Sequence, residues 1–263
     1  RGDSIVKLDT GKKSIGPIGQ KETHEFLSAL NDFYRTSHFN DFFNTHTNIY
    51  ELGLQVFNDS VMAHFDQEWY TRFYGTPPAE QFRIIIGFTN GPCNYGPSRK
   101  LTGQPKEVFA IMNYAVDDNE RPIFYKKVVE TVVHEFCHSF IKIKGDTEKA
   151  LEKSGKALQE YTYFSMRRQA YSTWRNILEE SLVRAATICY LIDHDYDEKD
   201  IRNAIIEQVD RNFFWMPELV QTLRYYESHR KKYPTFTSFY PEIIRFFDRY
   251  VTNMEKEMKK AMK

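Results

Sequence analysis

The stretch that most restricts how this chain can fold is Val132-Val133-His134-Glu135-Phe136-Cys137-His138-Ser139-Phe140-Ile141. Val128/Val129, Val132/Val133, Phe136/Cys137 and Phe140 recur every four residues, the spacing of an apolar stripe along a helix. On a helical wheel that stripe leaves Thr131, His134, Glu135, His138 and Lys142 on the opposite side. The sequence therefore predicts a helix with an apolar back for a core and a narrow polar front carrying His134-Glu135-x-x-His138. Histidines at i and i+4 sit one above the other on a helix, so both imidazoles can reach one metal ion. The bland alternative is a surface helix with two solvated histidines, and the segregation of polar and apolar faces favours the metal site over it.

At 263 residues the chain can bury a substantial core. Its 36 basic and 36 acidic residues cancel, so no net field draws it to nucleic acid or to an anionic membrane. No apolar run is long enough to span a bilayer. Arg1-Gly2-Asp3-Ser4 lacks the pattern of a signal peptide. Cys93, Cys137 and Cys189 are too few and too far apart for a cysteine zinc knuckle, although a Cys93–Cys189 disulfide is compatible with their number. Cys137, on the apolar side of the motif helix, is expected to be a buried free thiol.

Residues 1–20, with Gly11, Gly16, Pro17 and Gly19, read as a tail or an edge strand. Helical spacing follows over 25–34, from 37 or 38 to 57, and over 61–74, where Gly75 and Pro77-Pro78 close the run. Residues 82–88 are short, rich in β-branched residues and read as a buried strand, and 108–114 read as a second strand. The second is expected to border a cleft and to accept an extended chain by strand addition. A turn at Asp117–Pro122 delivers the chain into the motif helix, expected to end near Gly145. Beyond it, Asp146 is placed as a cap, and helices are expected through Tyr161 and over 171–191, 198–214, 217–226 and from Pro241 onward. The expected fold is α+β and predominantly helical, a small sheet packed on the motif helix with a helical C-terminal half. After the tail, 21–263 reads as one domain with lobes 21–145 and 146–263.

A hydrolytic zinc site uses three protein ligands and keeps one position open. No histidine follows in an H-E-x-x-H-x-x-G-x-x-H extension, which argues against that pattern. A carboxylate on a later helix remains, and Glu179 and Glu180 are the candidates, since a carboxylate amid so apolar a run needs a partner. On the wheel Glu179 shares its side with Leu182, Val183 and Ala186. Glu180 lies with Asn176, Ile177, Arg184 and Thr187, the more polar side. A simple i, i+4 ion pair of Glu180 with Arg184 is the competing reading, and the two roles can coexist.

His134-Glu135-x-x-His138 with a later helix-borne glutamate resembles the gluzincin clan of zinc metallopeptidases. Together with Glu180-Ser181-Leu182-Val183-Arg184-Ala185 and Tyr233-Pro234-Thr235-Phe236 … Phe239-Tyr240-Pro241, it resembles an uncharacterised bacterial family of metallopeptidase-like proteins that are usually exported. The resemblance implies one zinc ion per chain held by His134, His138 and Glu180, with Glu135 as general base. It also implies a peptide or protein substrate and an extracytoplasmic location. A downstream phenol or imidazole is expected to stabilise the oxyanion, Tyr240 first, with His229 and Tyr233 as alternatives. The chain departs from the usual pattern of the clan in two ways: the third ligand lies farther from the second histidine, and its i+4 neighbour is Arg184 rather than an aspartate. Two rival expectations stand beside this one: a non-catalytic module stabilised by its metal, and zinc hydrolysis of a non-peptide amide or ester.

Overall fold

The computed structural model of the chain describes residues 19–91, 93–125 and 127–262. The tail or edge strand expected over 1–20 lies outside them as far as residue 18, and a helix already begins at Gln20. The chain folds as two compact units. One runs to Phe65 and resumes over Ala79–Val129; the other takes Asp66–Pro78 and everything from Glu130. The division thus falls elsewhere than at the expected lobe boundary of 145.

The first unit opens with helices α1 (Gln20–Thr36), α2 (Phe39–Thr45) and α3 (Thr47–Ser60), followed by a 3-10 turn, Met62–His64. Its main sheet has the order β1 (Gln81–Gly87), β3 (Glu107–Asn113), β2 (Ser98–Arg99). β1 and β3 run parallel, in register from Gln81↔Glu107 to Gly87↔Asn113. β3 is therefore the central strand. Its other edge is taken by β2 and by a bridge from Tyr95 to Ile111, so it has no free edge for the strand addition expected of it. Val108, Ala110 and Met112 alternate inward from β3 and are buried, as a strand's period of two requires. A second, two-stranded ladder pairs β4 (Ala115–Val116) with β5 (Pro122–Ile123). The Asp117 carboxylate shapes the turn between them by accepting the backbone N–H groups of Asn119 and Arg121.

The second unit contains α4 (Trp69–Tyr74), most of α5 (Lys127–Cys137), and then α6 (Gly145–Tyr161), α7 (Tyr163–Arg168), α8 (Trp174–Asp193), α9 (Glu198–Asp210), α10 (Met216–Ser228) and α11 (Phe236–Ala261). The fold is α+β and predominantly helical, as expected. α8 is the axis of this unit, with Leu178, Leu182, Ala185, Ala186 and Cys189 fully buried and α6, α9 and α10 packed around it. All three cysteines are free thiols, Cys137 and Cys189 buried and Cys93 exposed, so the Cys93–Cys189 disulfide is not formed.

Several boundaries differ from expectation for local reasons. The helix expected over 61–74 is broken, because the Asp66 carboxylate accepts the N–H groups of Glu68 and Trp69 and starts α4 afresh. Asp146 lies in the first turn of α6 rather than capping it. α11 begins at Phe236 and not at Pro241, because Thr235 and Ser238 form a reciprocal capping box. Pro241 then sits inside the helix, where it removes one backbone donor.

Candidate metal centre

The second unit carries the whole candidate site. Tyr70 on α4 donates its hydroxyl to the Val133 carbonyl, and Phe140 stacks on Tyr70 and Tyr74 with ring centroids 5.5 and 4.3 Å apart. These contacts anchor the apolar back of α5 and leave the face with His134, Glu135 and His138 turned away from the core. The helix ends at Cys137, not near Gly145. Its last turn tightens, with N–H groups of Ser139 and Phe140 reaching back three residues to Phe136 and Cys137. His138 is the first residue past the helix, yet it stays one turn above His134, the two rings 5.0 Å apart.

α8 supplies the third donor. Thr173 caps it through the Asn176 N–H, and within the helix Glu180 meets the two histidines. His134 Nε2 lies 3.4 Å from Glu180 Oε1, and His138 Nε2 lies 3.6 Å from Glu180 Oε2. One donor atom from each of the three residues falls within 4.8 Å of the others. The two His–Glu separations are longer than an ordinary N–H···O bond. They run to different oxygens of the one carboxylate, and the three residues' donor atoms are close enough together to hold a single ion. Two imidazole nitrogens and one carboxylate oxygen also form a known hydrolytic zinc donor set, so these residues fit the ion that the sequence implies. Glu180 is 8% exposed and His134 21%, whereas His138 at 40% opens the cluster to solvent.

The electrostatics suit neutral imidazoles beside a carboxylate. Burial pushes His134 down to about 4 against the pull of Glu180, and burial lowers His138 too. Burial works to raise the Glu180 carboxyl, but His134, Arg184 and His138, with the Tyr171 hydrogen bond, outweigh it and hold it below its usual value. Glu135 is half-buried, and burial together with the Glu180 charge lifts it to about 7.

Of the two adjacent glutamates only Glu180 joins the histidines. Glu179 turns the other way, and its Oε1 accepts the Ile143 N–H at 2.7 Å. The downstream helpers are engaged elsewhere. Tyr240 is buried on α11 and donates to the Lys142 carbonyl at 3.3 Å, and burial raises its phenol to about 12. His229 stacks on Tyr225, and Tyr233 bonds the Glu242 carboxylate. Two residues that sequence reasoning missed do reach the site. Tyr171 donates to Glu180 Oε1 at 2.9 Å, and Gln208 on α9 accepts from Arg184, which itself pairs with Glu180 Oε1 at 2.7 Å. Arg184 is visible in the sequence through its i, i+4 spacing from Glu180; Tyr171 and Gln208 carry no spacing signal.

No curated protein and no solved structure matches the chain. A family model does, over residues 7–246. That match spans most of the 263 residues, and the chain belongs to the family described as a domain of unknown function, DUF4932.

Proposed function

We propose that this protein is a zinc-dependent hydrolase of the gluzincin type, acting on peptide bonds. The observation that carries the reading is the convergence of His134, His138 and Glu180, one donor atom of each within 4.8 Å of the others, with Glu135 adjoining the first histidine. A zinc ion held by these three residues supplies Lewis acidity, polarising a carbonyl and bringing the pKa of water toward ~7. Glu135 has the attributes of the general base. It is neighbour to a ligand without being one, and a carboxyl lifted toward neutrality is matched to taking a proton from the attacking water. The same carboxyl then returns that proton to the departing nitrogen. The exposed side of His138 offers the approach for substrate. Glu180, buried and ionised, balances the charge of the cation.

The test is elemental analysis of the purified protein combined with cleavage of a broad peptide library. One zinc per chain is expected, and Glu135→Gln is expected to keep that zinc while losing roughly 10²-fold or more of turnover. Undiminished hydrolysis in the variant would remove Glu135 from the mechanism. Zinc without cleavage of any peptide would direct the reading to a metal-stabilised binding module or to other amides and esters.

A further inference from the structure

Glu180 is held more elaborately than a ligand on a rigid helix requires. Its Oε1 accepts the Tyr171 hydroxyl at 2.9 Å and lies 2.7 Å from Arg184 Nη2. The same Arg184 nitrogen also donates to the Tyr171 oxygen at 3.0 Å, closing a three-membered ring of contacts around that one carboxylate oxygen. Arg184 is fixed from two further sides. Its other terminal nitrogen donates to Gln208, and its guanidinium lies over the Phe213 ring at 5.0 Å. Tyr171 meets that same ring edge-on, with centroids 5.9 Å apart. Gln208 is steadied in turn by donating to the Ala204 carbonyl. Glu180 Oε1 also faces His134 Nε2 at 3.4 Å, whereas Oε2 accepts no hydrogen bond among the described residues and faces His138 Nε2 at 3.6 Å.

A carboxylate oxygen has two lone pairs in its plane, and Tyr171 and Arg184 together occupy those of Oε1. What remains for a cation is Oε2. We propose that Tyr171 and Arg184 are positioning residues that restrict Glu180 to one-oxygen coordination through Oε2, and so fit the site to a four-coordinate, borderline ion and against hard cations. Calcium and manganese favour more oxygen donors and higher coordination numbers, and a carboxylate denied its second oxygen serves them poorly. Partners behind a ligand act on metal affinity by roughly 10–100-fold, and they do so here through the orientation of Glu180 rather than by touching the ion. The inference rests on the metal-site reading above.

The test uses the full-length protein, titrated with zinc and with cobalt(II), and compared with Tyr171→Phe, Arg184→Gln and Arg184→Lys. Cobalt(II) serves as the spectroscopic probe, because its visible bands are intense in four-coordinate sites and weak in five- or six-coordinate ones. Wild type is expected to bind zinc and to give the intense cobalt spectrum. Tyr171→Phe removes only a hydroxyl and is expected to bind zinc about 10-fold more weakly, to weaken the cobalt bands, and to narrow the preference for zinc over manganese. Arg184→Gln is expected to do the same more strongly, with Arg184→Lys, which keeps the charge but loses the fork, in between. A Tyr171→Phe protein with wild-type zinc affinity, cobalt spectrum and zinc-to-manganese preference would overturn this proposal and leave the metal site standing. A wild-type protein that binds neither ion would overturn both.

Discussion

Two glutamates adjacent on one helix have opposite tasks, and their surroundings separate them. Glu180 points to the imidazoles of His134 and His138, while Glu179 accepts the backbone N–H of Ile143 just beyond the motif. Glu180→Ala is therefore expected to abolish most zinc binding, and to free Arg184 and Tyr171 of their common partner. Glu179→Ala is expected to keep the zinc and to destabilise the fold by about 1–3 kcal/mol, the cost of an unpaired, part-buried N–H. Equilibrium dialysis against zinc and urea unfolding of both variants measure this. The reverse order, zinc lost from Glu179→Ala alone, would exclude Glu180 as the ligand. The wheel of α8 favours Glu180 from the sequence, because a polar side persists through Asn176 and Arg184. The Ile143 contact has no such trace, since it joins residues 36 positions apart whose spacing follows no period.

At the scale of elements, α5, α8 and α11 show how local signals and tertiary context divide the work. The apolar stripe predicts α5 with its polar front, yet its C-terminus lies at Cys137, well short of the glycine that suggests a stop. The aromatic stacking of Phe140 between Tyr70 and Tyr74 belongs to the non-helical segment that follows, and a period of 3.6 cannot reveal it. α11 differs for the opposite reason. Pro241 has the mark of a helix start, but the Thr235–Ser238 box begins the helix more than a turn earlier. Thr235→Ala is accordingly expected to lower stability by about 1 kcal/mol, read as a shift of the urea midpoint without change of slope. An unchanged midpoint would show that packing alone holds the first turn of α11. The strand of residues 107–113 is legible from its short apolar run, but its place in the middle of the sheet is not, because pairing order is set by chain segments far apart in sequence.

At the scale of the whole molecule, the second unit draws α4, α8 and α10 together through a carboxyl pair that no sequence pattern announces. Asp193 accepts the Trp69 indole N–H at 2.8 Å and pairs with Arg224, while Arg224 also contacts Glu227 at 2.6 Å. Burial and the hydrogen bond with Asp193 push Glu227 up to about 8, so the shared proton rests on Glu227. A carboxyl whose folded pKa is raised contributes stability that is complete below its unfolded value of 4.5 and is lost as pH rises through 8. Asp193, lowered by its partners against burial, acts only at acid pH and leaves this window to Glu227. The melting temperature is thus expected to fall between about pH 4.5 and 8, and Glu227→Gln, which keeps a hydrogen-bond donor to Asp193, is expected to flatten that fall. Equal slopes in the two proteins would refute the assignment of the proton.

The sequence by itself determined the motif helix, the histidine pair with its neighbouring Glu135, and the two candidate carboxylates of α8, as well as the α+β, mostly helical class. All of these rest on the fixed period of a helix or strand, which any window of the chain displays. Only the tertiary structure decided that Glu180 meets the histidines and Glu179 does not, that Tyr171 and Gln208 stand behind the site, and that Tyr240 spends its hydroxyl on the Lys142 carbonyl. Those outcomes depend on how α8 is rotated and docked against α5, α6, α9 and α10. That rotation is set by the burial of side chains along its whole length, a sum over contacts between distant segments that no local pattern encodes.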